Sequence, residues 1–582
     1  MESSIPKDQN EVRTEAAHGN ALADTDWVNR FFASYYVHRP VNATFIGVHD
    51  WDDRLPDFSE QGAGDTLADM QKLLAESVRI RDVAGAMAKG KDGGPVSFED
   101  LDRRLAEGFL RIQLWEFQSN HFHRGNPSLY TGEAVFGLMS LFLADFAPLA
   151  ERVEMALERM AALPTLLAQG RTNVRRAPQA WTQRALRECT GALAFLTGGI
   201  EHLLAECTVP VPGFRTTAEK AAAAFRDSQR YLETELLSNP VEEWACGEEA
   251  LSLYMKYGHF LDQDPNEIVA YAESAMAEAA GALAGRGADV EDAITGLANL
   301  HPSAEDYYGR YQELWDSVRE TAQAQPLLTW PDFPIRYVPR PRWARDAAPY
   351  LYFLFYRSPA ALNRPPVHDY LVTPIDPTMA PEKQDELLRA TNDSVIKLNH
   401  VIHHGSIGHH VQNWHAFRSR SRIGQIAAVD CASRIAMVCG GTMAEGWACY
   451  ATDLMSEAGF LTPLEQVAEL RGRTRMCARA IVDIRLHQGR LTLEQAADYY
   501  VRHAGMEPGP AHSEAVKNSM FPGAAAIYLL GTDAIHDLRI EMSVRLGSGF
   551  DLRSFHDEFL SYGSIPVSLI GNLMKGEVGH AE

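Results

Sequence analysis

Apolar residues recur every three or four positions along most of this chain, the period of an amphipathic helix. The segments "ADMQKLLAESVRIRDVAGAMA", "SFEDLDRRLAEGFLRIQLWEF", "APLAERVEMALERMAALPTLLAQG" and "TAEKAAAAFRDSQRYLETELL" all carry this period, and from Ala63 to about Gly285 helix follows helix. Ser97 and Thr216 stand where helix N-caps are expected. The pattern resumes near Glu382 and lasts to the end of the chain. In between, "PLLTWPDFPIRYVPRPRWARDAAPYLYFLFYRSPAALNRPPVHDYLVTPIDP" replaces the period with prolines and aromatics, which predicts short strands and an ordered loop. The fold class is therefore mainly α, a large multi-helix body with a few short strands. Its expected divisions are a flexible N-terminal tail (1–22), an N-terminal helical region (23–325), a proline- and aromatic-rich connection (326–380) and a C-terminal helical region (381–582). One helical region shielding the other would leave a deep central cleft, the usual place for a small ligand.

Composition and charge narrow the function. The formal net charge of -23 argues against a nucleic-acid partner, because phosphate binding needs a basic surface. No run of about 18 apolar residues is present, so no membrane span is expected. The opening "MESSIPKDQNEVRTEAAHGN" lacks a basic start followed by an apolar core, so no secretory signal is read there. The cysteines, at 189, 207, 246, 431, 439, 449 and 477, are odd in number, scattered and never spaced C-x-x-C. That pattern suits reduced thiols in the cytoplasm rather than a disulfide framework, with most of them simple core residues.

The chemistry concentrates in "VIHHGSIGHHVQNWHAF", residues 401–417, which holds five of the 21 histidines. Two imidazoles share a metal on a straight helix when three or four residues separate them. His403 and His409 are six apart and point in different directions. His403 and His410 are seven apart and lie roughly 10 Å from each other along the axis. Neither pair can chelate one ion unless the helix is interrupted, and Gly405 and Gly408 supply the means. The helical zinc motif H-E-x-x-H needs a glutamate beside its first histidine, but His404 occupies that place. Glu445, in the first turns of a helix expected to start after Gly441, offers a third ligand for a site that keeps one position open. Taken alone, it better suits a charge favoured by the helix dipole. Asp483 and His487 fall four apart on one helix face, either as a carboxylate–imidazole pair or as an exposed i,i+4 contact. Tyr528, Gly531 and Arg539 follow on a helix entered through Pro522-Gly523.

In that order these segments resemble the bacterial family known as domain of unknown function 885, helical proteins similar to gluzincin metallopeptidases. "EGWACYATDL" looks like the family's E-G-W-A-L-Y-A-E element, and "HHGSIGHHVQ" occupies the place of its H-E-x-x-P-G-H-H-x-Q. "PVNATFIGVHDWDDRLPDFS", "ARAIVDIRLHQGRLTLEQA" and "FPGAAAIYLLGTDAIHDLR" resemble further family segments, so the likeness covers nearly the whole chain. It implies a gluzincin- or oligopeptidase-like body in which His403, with His409 or His410, and Glu445 ligate a metal. It also points to Tyr528, His487 and Arg539 as residues lining the site. Departures accompany the likeness: His404 for the water-activating glutamate, Ile407 for the proline, and Thr452 for the second glutamate of the E-G-W helix.

Three functions follow. The first is a metal-dependent hydrolase of a small peptide-like or amide substrate, with zinc as the expected ion and His404 as the base. The second is a non-hydrolytic metalloenzyme (a lyase, isomerase or oxidative enzyme) on a small amino-acid-like metabolite. There His404 is a further ligand, and iron, manganese or cobalt also suit the donor set. The third is a binding protein on an inactive peptidase fold.

Overall fold

The computed structural model describes residues 15–88, 97–207, 210–286, 290–351, 358–376, 378–428 and 435–576. Its regular structure is helical apart from two five-residue strands, β1 (Ile335–Pro339) and β2 (His368–Val372). These pair in parallel with Tyr337 opposite Tyr370. Both strands come from the proline-rich segment, where β-branched and aromatic residues favour a pleated, half-buried surface.

The expected flexible tail (1–22) overlaps a helix that spans Glu15–His38, and residues 1–14 lie outside the described ones. Ser97 caps its helix by accepting from the Asp100 N–H at 3.1 Å. Thr216 does not cap one. That helix begins at Phe214 behind Gly213, whose φ of 79° turns the chain and leaves Thr216 inside the first turn.

The largest buried cluster runs from Trp27 to Ile570, so N- and C-terminal helices contribute to one continuous core. A smaller cluster gathers Trp181, Val482, Leu486, Tyr500 and Met520. Two helices that matter for the site, Gly441–Glu457 and Ile527–Leu546, cross backbone to backbone. A Cβ on Gly446 would lie 2.5 Å from the Gly531 backbone, and one on Gly531 would lie 2.0 Å from the Thr442 carbonyl oxygen. Only glycine at both positions allows this approach.

Candidate metal centre

The histidine stretch folds as two short helices with a break between them. Ile396–Gly405 is a π-helix, a wider coil often found at functional sites, and His409 starts the next α-helix, His409–Ala416. Two buried indoles grip the break: Trp315 Nε1 donates to the Gly405 carbonyl and Trp447 Nε1 to the Ile407 carbonyl, each at 2.9 Å. The Gly408 N–H reaches back to the Ile402 carbonyl at 2.9 Å. A Cβ on Gly408 would lie 1.9 Å from the His403 carbonyl oxygen. Glycine is thus required here for close approach rather than for a left-handed φ.

The break brings His403 and His409 together edge to face, with ring centroids 5.0 Å apart and planes at 90°. Glu445 Oε2 lies 3.5 Å from His403 Nε2 and 3.6 Å from His409 Nε2. These separations are too long for good hydrogen bonds. Imidazole nitrogens and a carboxylate oxygen bound tetrahedrally to one zinc at its usual bond lengths stand about 3.4 Å apart. Glu445 Oε2 is buried and, among the described residues, has no hydrogen-bond partner at normal distance, a costly state for a carboxylate that a cation would relieve. The donor set therefore fits a divalent ion. Burial works against the charge of Glu445, but the two imidazoles outweigh it and hold the carboxyl well below its usual range.

Further hydrogen bonds orient the candidate ligands. Gln412 Nε2 donates to Ser564 Oγ, which turns its Oε1 toward His409 to accept from Nδ1–H at 2.9 Å. That assignment aims His409 Nε2 at Glu445, as histidine ligands require. Glu445 is not a helix-start charge: a π-turn over Ala436–Gly440 runs directly into its helix, so it stands well inside a helical run.

His404 lies beside the pair, its ring 4.7 Å from His403 and 5.5 Å from His409. One ligand atom each of His403, His404 and His409 lie within 4.8 Å of one another. Burial, reinforced by His403, His409 and His400, keeps His404 well below its ordinary pKa and therefore neutral. β2 supports the same helix from outside, since the Tyr370 hydroxyl hydrogen-bonds His400 Nδ1 at 2.7 Å.

The structure does not bring the other expected residues to the cluster. His410 turns away, donating from Nε2 to the Phe333 carbonyl at 2.7 Å and stacking on that ring, and burial pushes its pKa down to about 4. His487 is fully buried, with Nε2 donating to the Asn518 carbonyl at 2.9 Å and Nδ1 accepting from the Cys246 N–H. Asp483 is 3.8 Å from it and spends its oxygens on the N–H groups of Gly523, Ala525 and Ala526. The two residues thus act separately, Asp483 as a clamp on the turn that carries Tyr528. Asp483→Ala would strand three buried donors and is expected to cost about 3 kcal/mol or more. Calorimetric unfolding checks this, and an unchanged melting temperature would show that the turn holds without the clamp.

Arg539 sits eleven residues beyond Tyr528, roughly 16 Å further along the helix axis. It is bonded there to Glu457 at 2.8 Å and Tyr450 at 3.1 Å. Tyr528 does line a cavity of about 260 Å³ together with Glu445, its ring resting under Arg479 at 4.6 Å. A wider groove of about 950 Å³ shares Phe58 and Phe117 with this cavity. Further wall residues, including Arg39, Glu133, Arg184 and Glu188, come from the N-terminal half of the chain, and no motif marks them in the sequence. Cys431 lies outside the described residues, while Cys189, Cys439 and Cys477 are buried free thiols.

Fold and centre together define a large helical protein with a histidine–glutamate cluster at a helix break. The chain belongs to the family described as "Bacterial protein of unknown function (DUF885)", which matches residues 40–574. No curated protein matches it significantly. Two solved structures share the fold. One is "a putative lipoprotein of unknown function" from Shewanella oneidensis, with a TM-score of 0.73 and 21% identity over 95% of this chain and 99% of that one. The other is "the putative lipoprotein" from Colwellia psychrerythraea, with a TM-score of 0.74 and 17% identity over 97% and 99%. An M32 carboxypeptidase from Deinococcus radiodurans R1 aligns over 89% of this chain at 12% identity, with a TM-score of 0.31 that is too low to indicate a shared fold.

The two lipoprotein descriptions overturn the cytoplasmic location expected from the cysteines, because lipoproteins are anchored at a membrane. Cysteine spacing reports on disulfide formation and does not specify a compartment. Among the described residues, no helix is long and apolar enough to cross a membrane.

Proposed function

We propose that this protein is a metal-dependent hydrolase of a small peptide-like or amide substrate. The observation that carries the reading is the placement of Glu445 Oε2 at 3.5 and 3.6 Å from His403 and His409 Nε2, distances suited to a shared ion. His403, His409 and Glu445 would hold the ion, zinc being the best match to two imidazoles and one carboxylate. A bound divalent ion supplies Lewis acidity toward a carbonyl or a water molecule.

The chain's own residues do the rest. Gln412 and Ser564 keep His409 in the ligating tautomer. His404, neutral and beside the pair, accepts the proton that an attacking water gives up. Glu445 and Tyr528 open onto the cavity where a small substrate would lie.

A second reading has its own observation: His404 offers a ligand atom within 4.8 Å of those of His403 and His409. As a third imidazole ligand it would leave the site without a base and favour non-hydrolytic chemistry.

One experiment separates the two. Protein purified without added metal is analysed for bound elements, and primary amines released from a mixture of short peptides are measured. The hydrolase reading expects one divalent ion per chain, and for His404→Ala retention of the ion with loss of at least about 100-fold in amine release. Loss of the ion from His404→Ala supports the second reading, and full activity of that variant removes His404 from the mechanism.

A further inference from the structure

The cavity beside Glu445 holds a second carboxylate with no role in the cluster. Leu129, Gly132, Glu133 and Phe136 form one face of the helix Pro127–Met139, and that face lines the cavity. No hydrogen bond from a described residue reaches the Glu133 carboxylate. Arg39 and Arg159 act on it through space but are engaged elsewhere. Arg39 donates to Gln113 Oε1 and lies over the Tyr35 and Phe109 rings. Arg159 donates to Gly137, Thr44 and Trp51 and lies 3.9 Å from Asp52.

By contrast, the two other acids on the wall outside the cluster are already satisfied, Glu188 by the Thr131 hydroxyl and by Arg184 Nε at 3.2 Å, and Asp57 by the Ser59 N–H and Gln169 Nε2. Burial pushes Glu133 up to about 7, with Arg39 and Arg159 opposing, so the charge is held at a disadvantage that a cation would relieve. Beside it, a Cβ on Gly132 would meet no atom within 4 Å, so open space adjoins the carboxylate. Phe117, Phe122 and Phe136 make the neighbouring wall apolar.

We infer that this cavity binds a molecule carrying a cationic amino group next to a short apolar side chain, and that the Glu133 carboxylate receives the ammonium. This rests on the proposed hydrolase reading for its significance, since it makes the substrate an amino-acid amide or a short peptide with a free amine. The binding itself needs no metal. The volume of about 260 Å³ lies near the small end of the range for ligand sites, which suits an amino-acid-sized group.

The test uses two probes that differ only in the amine, L-leucinamide and 4-methylpentanamide. Each is titrated calorimetrically near neutral pH into full-length protein, with and without prior removal of metal by a chelator. Leucinamide is expected to bind at least about tenfold tighter than 4-methylpentanamide, as a charge-assisted hydrogen bond contributes. Glu133→Gln is expected to abolish that preference and leave 4-methylpentanamide unchanged. Gly132→Leu, which fills the open space and favours the helix, is expected to weaken both probes at least about tenfold.

Equal binding of the two probes, an unchanged preference in Glu133→Gln, unchanged binding in Gly132→Leu, or no binding of either probe each overturns the assignment. Because the preference is read in the metal-free protein as well, its failure is separable from failure of the metal site. The latter appears as absence of a stoichiometric ion in the elemental measurement.

Discussion

His409→Ala is expected to lower affinity for a divalent ion by about 100- to 1000-fold and to abolish any turnover that needs it. Structural zinc sites gain about 10–16 kcal/mol from three or four ligands together, so one ligand is worth about 3–4 kcal/mol. His409 is the candidate ligand whose geometry is most strongly enforced. Its Nδ1 is committed to Gln412, its ring is buried, and its Nε2 lies 3.6 Å from the Glu445 oxygen. Competition between protein and a zinc-chelating dye measures the affinity directly.

His410→Ala is the matching comparison. That ring is as buried as its neighbour but hydrogen-bonds and stacks on Phe333, so its loss should lower stability and spare metal affinity. If His409→Ala still binds one ion tightly per chain, the His403–His409–Glu445 cluster is not the metal site.

Gly408→Ala is the second large effect. Its added carbon would lie 1.9 Å from the His403 carbonyl oxygen, 2.6 Å from the His403 carbonyl carbon and 2.7 Å from the Ile402 carbonyl oxygen. All three are backbone atoms, so no side chain can move aside. The break must open, which displaces His403 from His409 and is expected to cost about 3 kcal/mol. Metal affinity should fall with it, by about as much as when a ligand is removed.

Gly472→Ala serves as the control. It lies inside the helix Pro463–His487 with nothing within 4 Å of a Cβ, and alanine there should stabilise by roughly 1 kcal/mol. Denaturant unfolding and dye competition on both variants give the answer. A Gly408→Ala protein with normal metal affinity would mean that the break tolerates rearrangement without disturbing the ligands.

Much of the cluster was legible because its residues are unusual in local sequence. Histidines six apart cannot meet on a straight helix, so the two glycines between them announced an interruption, and the structure contains one. Glu445 could be named as a partner but not distinguished from a helix-dipole charge, because the start of its helix depends on the π-turn at Ala436–Gly440. His487 and Asp483 misled for the opposite reason. Their spacing is right for a pair, yet each is satisfied by backbone groups of other segments that no local pattern reveals. Arg539 failed on distance along a single helix, which the sequence did contain.

What the sequence determined by itself was the helical body, the place of the two strands and the requirement for a broken helix at the histidines, since periodicity, proline content and residue spacing are local properties. What only the tertiary structure decided was which atoms converge. The choice of His409 over His410 depends on Gln412 and Phe333 taking up one ring nitrogen of each. The cavity wall with Glu133 depends on helices more than 300 residues away from Glu445 in sequence. Contacts of that range are fixed by burial of one continuous core, and no window of the chain contains both partners.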